Sequence, residues 1–502
     1  MWLATSVLGD TTFAVRMVAV VSSALGAIAA AGMACELTRG NRVAGVLAAL
    51  GYNCLPAFAA TALLSTIDGP YLACWAWACW LGVRAMTGGL GGSEGSGRAW
   101  LGLGVVLGIG FLFKYTILLL PLGMAVFAWR HRGRVSWPAR GWMVGCAAGF
   151  AIGLLPVLIW NAQHEWVTVK HLLGHLGIKP SDVAGAGGGA AATAAADAVA
   201  AAKPNPKNSG YNPMWTLELI GIQLGIIGPA LIAMGAGAVR AWRGGLAAGR
   251  DARAGLAAKL MVHASWPVLG FYLLVTLKAQ AEGNWPMAGF VSLLPLAAAW
   301  VVSGRPAAGE RDVALPSQIM PGQGLRRFTL NATGVVGLVV GLGLARLDVV
   351  HASLMEISPA AARVVPIGRV TGNEEMAGHI GRIMEDVQTA TGKEPFVLSQ
   401  SYGRASQLCF AMPGHPVVYV AQSRLGGRAV QQDYWPSHDV DSPALKGRPA
   451  VILADFDDAS LWKSSFERVE RIGEIDGAIR AGRFGFVGYG YKGLPARRGE
   501  AF

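Results

Sequence analysis

Ser65-Thr66-Ile67-Asp68-Gly69-Pro70 runs directly into the apolar stretch Tyr71 to Met86. One acidic residue stands at the lip of a segment long enough to enter a bilayer, and Gly-Pro follows it where a helix would begin. An ionisable residue at such a lip is costly to hold there and is read first as functional. Asp68 also suits the N-cap position, where its carboxylate would accept from the first helical N–H groups. Both readings start a helix near residue 68, and the chain on either side reads as a series of similar segments.

Of the 502 residues, 53% are hydrophobic and only 14% charged. Soluble chains carry about 25% charged residues, so this composition excludes an ordinary soluble protein. The expected fold class is an α-helical polytopic membrane protein with a C-terminal soluble α/β domain. About ten spans are expected, at 14–35, 42–62, 70–87, 99–113, 115–129, 141–160, 214–238, 257–277, 284–302 and 328–347. The fourth and fifth form one apolar run broken at Phe113-Lys114-Tyr115, so a hairpin or re-entrant pair fits as well as two crossings.

The net charge of +12 raises nucleic acid as a partner, but the arginines sit in short loops between apolar runs, as cytoplasmic loops do. No nucleic-acid partner is expected; membrane lipid is. Arg39 and Arg42, Arg84 and Arg98, Arg130 to Arg140, Arg240 to Lys259, and Arg305 to Arg327 occupy alternate loops. Those loops point to the cytoplasm. The others, carrying Asp10, Asp68, Lys114, residues 161–213, Glu282-Gly283-Asn284-Trp285 and everything after Val349, then face outward.

Two domains are expected: residues 1–350 in the membrane, with an Ala/Gly-rich insert at 181–210, and an outer α/β domain at 351–502. In the second, Glu374 to Thr391 reads as an amphipathic helix and Ala459 to Phe466 as another. Phe396–Ser399, Val417–Val420, Val451–Ala454, Arg468–Ile475 and Phe484–Tyr491 read as strands. Gly485, Gly488, Gly490 and Gly493 do not form a nucleotide fingerprint. Five of the six cysteines lie in apolar runs, so no disulfide framework is expected. The N-terminus has neither the charged region nor the cleavage site of a signal peptide.

The candidate site residues lie in the outward loops. Asp68 would position a sugar or an acceptor. Lys114, between two apolar halves, suits a phosphoryl leaving group, and Arg16 at the outer start of the first span suits the same group. As interfacial anchors both need no such role. His164 falls on one helix face with His171 and His175, a spacing that suits a metal or an interfacial amphipathic helix; no HExxH pattern is completed. Glu282 would help position substrate, while Asn284 suits either that role or the cap of the next helix. In the C-terminal part, Arg404, Arg424, Arg428 and Asp433-Tyr434-Trp435-Pro436 suit either a sugar-holding face or ordinary turns.

Taken in order, Ser65 to Pro70, Phe113-Lys114-Tyr115-Thr116, Pro156 with Trp160-Asn161-Ala162-Gln163-His164-Glu165-Trp166, and Glu282 to Pro286 resemble bacterial members of glycosyltransferase family 39. This is the dolichyl-phosphate-mannose protein mannosyltransferase-like group, to which the aminoarabinose lipid A transferases are related. Gly9-Asp10 with Phe13 to Arg16, Ala405 to Phe410 with Pro413 to Pro416, and Gln432 to Pro436 are similar to the family's pattern too. The resemblance implies a GT-C fold and a polyprenyl-phosphate-linked sugar donor. It implies inverting transfer to a lipid, glycan or protein acceptor on the periplasmic face of the bacterial inner membrane. It carries Asp68 and Lys114 over as site residues, with no cofactor required and a divalent metal left open. The family places its catalytic Asp, usually an Asp-Glu pair, in an outer loop after a first span. This chain starts at Met1-Trp2-Leu3, about where that loop would end, and Asp10 matches the entry to the second span. The resemblance therefore implies a start upstream of Met1 or a chain that has lost its general base, and no base is assigned. The alternative reading is an inactive relative that binds lipid-linked sugars. A transporter is the third; it would show two related halves with matching broken helices, and no such repeat is visible.

Overall fold

The computed structural model describes residues 2–88, 92–164, 166–175, 212–246, 251–303, 323–362, 365, 367, 371–475 and 483–496. The insert at 181–210 lies outside them. The chain divides into two compact units, residues 1–169 with 207–346, and residues 170–206 with 347–502.

The first unit is all helical. In chain order it holds α1 (Trp2–Leu8), α2 (Thr12–Leu37), α3 (Arg42–Cys54), α4 (Pro56–Leu63), α5 (Asp68–Thr87), α6 (Gly92–Phe113), α7 (Leu119–Arg130) and α8 (Arg140–Gln163). After the short α9 (Val167–His175) come α10 (Pro213–Ile227), α11 (Ala230–Trp242), α12 (Ala252–Val275), α13 (Met287–Val302) and α14 (Gln323–Ala345). Among the described residues, five of these helices are long and apolar enough to cross a membrane alone, or seven crossings if each bent pair counts as one. Two stretches expected to be straight spans are broken. At 42–62 the axis turns by 65° where Pro56 opens α4. At 214–238 it turns by 100°, because Gly228 takes a left-handed φ of 61° and Pro229 cannot donate to continue the ladder. The break expected after Phe113 is present: Lys114 is extended and a 3-10 turn, Tyr115–Leu118, leads into α7.

α13 is the axle of this unit. Fifteen of its sixteen residues are buried, as expected of a helix that is apolar on every side and enclosed by other helices. It touches α2, α3, α5, α11 and α12. One polar bond fixes its rotation: Trp75 Nε1 of α5 donates to Ser292 Oγ at 2.9 Å, with both residues fully buried. At the periphery, α6 and α8 meet through Gly104 and Gly108 on one helix and Gly149 and Gly153 on the other. A Cβ at Gly108 would sit 2.8 Å from Gly149 O, and one at Gly153 would sit 2.3 Å from Gly108 Cα. Paired Gly-x-x-x-Gly faces let membrane helices approach backbone to backbone, where dispersion and not hydrophobicity drives association.

The second unit carries a five-stranded sheet in the order β2-β1-β3-β5-β4. Its strands are β1 (Phe396–Ser399), β2 (Val418–Val420), β3 (Ala450–Ala454), β4 (Arg468–Glu474) and β5 (Phe484–Tyr489). β1 to β3 run parallel; β5 is antiparallel to β3 and β4 to β5. β1 and β3 are buried along their whole length, as parallel strands covered on both faces must be. Val397 and Val451 point into a cluster with Ile380 and Val387 of α16 (Asn373–Thr391) and Leu408 of α17 (Tyr402–Ala411). Phe396, Leu398 and Ile452 point the other way, onto Trp462, Phe466 and Tyr491. Three details differ from the sequence reading. Residues 351–357 belong to a helix, α15 (Leu347–Ile357). α17 forms over a stretch that the sequence presents only as a motif, with Ala405 and Leu408 buried at helical spacing. The helix expected over Ala459 to Phe466 is a single 3-10 turn, Ala459–Leu461; Trp462 and Phe466 both insert into one cluster immediately after it.

Candidate functional site

The loop before α5 is anchored to α2: Ser65 Oγ donates to Val15 O at 3.1 Å. Asp68 then opens α5, and here the structure corrects the expected cap. The N-cap is Ile67, with no side-chain cap bond, and Asp68 is the first helical residue. Its carboxylate is turned away from the helix N–H groups. Lys114 Nζ donates to Asp68 Oδ1 at 2.8 Å, and Asn284 Nδ2 donates to Asp68 Oδ2 at 2.7 Å. The ammonium adds a full opposite charge that a backbone N–H cannot offer, and with Asn284 on the other oxygen both carboxylate oxygens are engaged away from the cap. Asn284 does not cap α13 either: that N-cap is Pro286, again without a side-chain bond.

Three chain segments meet here, brought from 46 and 216 residues away along the sequence. Lys114 reaches Asp68 because the chain breaks between α6 and α7; its backbone is extended with φ −156° and ψ 121°, and a continuous helix could not present it in that way. Asn284 is held by its loop. Gln223 Nε2 of α10 donates to Gly283 O at 2.8 Å, and the Trp285 ring lies 5.4 Å from that of Tyr272. Asp68 is only 7% exposed, and the side chains of the Lys114–Asp68 pair are 13% and 10% exposed. Removing one partner of a pair this buried leaves an uncompensated charge and typically costs about 3–5 kcal/mol. An ammonium has three donors, and Asp68 takes one; the others can meet a further oxygen anion. Asn284→Ala should lower activity about tenfold, the loss of one hydrogen bond to a charged group, as measured by initial rates.

Sequence reasoning missed the floor of this site. Lys114 Nζ lies 5.4 Å from the centre of the Tyr71 ring, and Thr116 Oγ1 donates to Tyr71 Oη at 3.1 Å. Tyr71 is fully buried, and edge-on to Trp75 at 6.0 Å. The signal was available: Tyr71 stands one helical turn after Asp68 and shares its face, and Thr116 is two residues past Lys114.

The remaining expected residues have other surroundings. Arg16 is exposed on α2. His164 turns back on its own helix: its Nδ1 is 2.7 Å from Trp160 O, and its ring stacks on Trp160 at 4.3 Å. The side chains of His171 and His175 lie outside the described residues. Glu282 is exposed in the loop that carries Asn284. In the second unit, Asp433 accepts from Ser423 Oγ at 2.7 Å and from Val430 N at 2.7 Å, so it stabilises a turn. Arg424 pairs with Asp441, and Arg428 lies over the Tyr402 ring at 5.5 Å. Among the described residues, no group of three or more His, Cys, Asp or Glu is placed to hold a metal ion.

Residues 1–160 match the family model described as dolichyl-phosphate-mannose-protein mannosyltransferase. That match includes Asp68 and Lys114. Two solved structures of ArnT from Cupriavidus metallidurans share the fold. One, bound to undecaprenyl phosphate, has a TM-score of 0.56 at 14% identity, over 97% of this chain and 85% of that one. The other, in the apo state, has a TM-score of 0.55 at 13% identity over the same shares. No curated protein matches the sequence significantly.

Proposed function

We infer, from a chain that matches the dolichyl-phosphate-mannose-protein mannosyltransferase family over residues 1–160 and has the ArnT-like GT-C fold, that this protein is a membrane glycosyltransferase using a polyprenyl-phosphate-linked sugar. The observation that carries the reading is the Lys114–Asp68–Asn284 cluster at the helix break, in which Asp68 is buried, Lys114 half-buried and Asn284 open to solvent. Transfer from a polyprenyl phosphate expels a phosphate, which needs a cation more than a general acid. Lys114 supplies that cation in a place largely shielded from water, where an electrostatic contact is worth more than at the surface. Asp68 holds the ammonium in position and, with Asn284, offers oxygen and amide partners for a sugar or acceptor hydroxyl. The related structure bound to undecaprenyl phosphate supports a lipid phosphate as the group met here.

The finer reading is that the sugar is a hexose or pentose and that transfer inverts its anomeric centre. The acceptor, a lipid, glycan or protein, is met on the periplasmic side of the bacterial inner membrane, with residues 351–502 on that side. Arg16, His164 and Glu282 are kept as secondary donor- and substrate-binding residues. The test is incubation of the purified full chain with a radiolabelled polyprenyl-phosphate sugar and membrane acceptors. Label moving from lipid to acceptor supports the reading, and donor that is bound but never turned over would favour an inactive lipid-sugar-binding relative. Sidedness has its own check. In a background without native cysteines, Ile67→Cys should react with an impermeant maleimide from the periplasm, and Gly133→Cys only after permeabilisation. The reverse pattern would invert the topology.

A further inference from the structure

The end of α7 away from Lys114 carries a second concentration of positive charge. An open cavity there is lined by Trp129, Arg130, His131, Arg132, Gly133 and Arg134. Behind it, His131 lies 5.9 Å ring to ring from His263 of α12, which is almost fully buried and stacks on Trp242 of α11 at 5.7 Å. Arg130 in turn lies over the Trp242 ring at 5.3 Å. His263 Nδ1 is 2.8 Å from Lys259 O, so Lys259 stands one turn away on the same helix. Arg130, Arg132, Arg134 and Lys259 form no ion pair with a carboxylate among the described residues. Their neighbours show that this is not the rule on this face: Arg39 pairs with Asp251 and Arg84 with Glu36. Burial first, then His263, Lys259, Arg130 and Arg134, hold the His131 imidazole below its usual range. Cations gathered without a counter-charge repel one another, and an anion in the cavity would relieve that repulsion.

The chemistry of the rim narrows the anion. Trp129 and Trp242 are exposed to 73% and 52%, and indoles at the end of a membrane helix sit at the level of the lipid headgroups. Arginine forks suit phosphate oxygens bidentately. Basic pockets between helices at a membrane surface bind phospholipid headgroups for the same reasons. We propose that the Trp129–Arg134 cavity binds the phosphodiester headgroup of an anionic phospholipid, of the phosphatidylglycerol or cardiolipin class. Trp129 and Trp242 flank the acyl-chain boundary, and Arg130, Arg132 and Arg134 hold the phosphate. This site is separate from the Lys114 cluster and does not depend on which sugar is transferred.

The experiment is native mass spectrometry of the delipidated full chain titrated with phosphatidylglycerol, phosphatidylcholine or inorganic phosphate. Phosphatidylglycerol should bind at least tenfold more tightly than phosphatidylcholine. R130A/R132A/R134A should lose that preference by at least tenfold, while R42A/R253A/R327A, which removes the same charge elsewhere in the unit, should keep it. R130K/R132K/R134K, which keeps the charge and removes the forks, should lose less than the alanine variant and more than the control. If the triple alanine variant does not elute as folded protein, Arg132→Ala alone is read, with an expected loss of about fivefold. Equal binding of the two lipids, or an equal loss in the control variant, would overturn the proposal. Inorganic phosphate binding as tightly as phosphatidylglycerol would reassign the cavity to a free anion and also sink it.

Discussion

Lys114→Ala should reduce sugar transfer by about a hundredfold or more, the size of effect seen when one pre-positioned donor to a developing anion is removed. Two consequences of the geometry compound in this variant. The phosphate loses its cation, and Asp68 keeps only Asn284 as a partner in a place that is nearly closed to water. Asp68→Asn should cost at least tenfold, because it keeps the shape of the cluster and removes the charge that holds the ammonium. Single-turnover rates with a bound polyprenyl-phosphate sugar separate this from a folding defect. A donor affinity little changed beside a collapsed rate would assign Lys114 to the leaving group. Both variants turning over at the parental rate would remove these residues from the site.

Gly108→Leu should have the largest effect on folding. The first added carbon would already lie 2.8 Å from Gly149 O and 3.1 Å from Gly153 Cα, and neither backbone atom can rotate aside. α6 and α8 would have to part. Overpacking a well-filled contact costs about 3 kcal/mol at the upper end of the usual range, and here the obstacle is backbone. α8 buries only Asn161 of its own residues, so it has little else to hold it once the glycine face is lost. Size-exclusion profiles in detergent should show loss of the monodisperse peak for Gly108→Leu. Ile109→Ala, on the same helix and exposed, should elute as the parent does. A normal profile and melting curve for Gly108→Leu would show that this helix contact is dispensable.

Much of the membrane unit was legible because bilayer helices advertise themselves by length and apolarity. The starts near 14, 70, 141 and 328 all fall on helices within a few residues. The bends at Leu55-Pro56 and Gly228-Pro229 were written in the sequence as well, yet hydropathy passes straight over them, since a short run of apolar residues reads alike whether straight or folded back. The site was half legible. Asp68, Lys114 and Asn284 each drew attention singly, for different reasons. Nothing in a one-dimensional pattern could say that one carboxylate accepts from both others across 46 and 216 residues. That long-range competition is also why two reasonable capping expectations, for Asp68 and for Asn284, did not hold. In the C-terminal unit the buried parallel strands announced themselves as short β-branched runs. Residues 459–466 did not, because aromatic side chains at 462 and 466 match a helical period while serving a turn.

The enclosure of α13 bears on how this protein is made. A helix surrounded by α2, α3, α5, α11 and α12 leaves the ribosome after all five of them. Its earlier neighbours must then stay apart in the membrane, with the slot for residues 287–302 open to lipid or held by insertion machinery, until this sixteen-residue plug arrives. Assembly of the membrane unit is thus a late event in synthesis, and Trp75 waits for its Ser292 partner through more than two hundred residues of elongation. Chains truncated before Met287 should therefore fail to give a monodisperse peak in detergent, whereas chains extending past Ala345, whose helix also packs on residues 287–302, should give one.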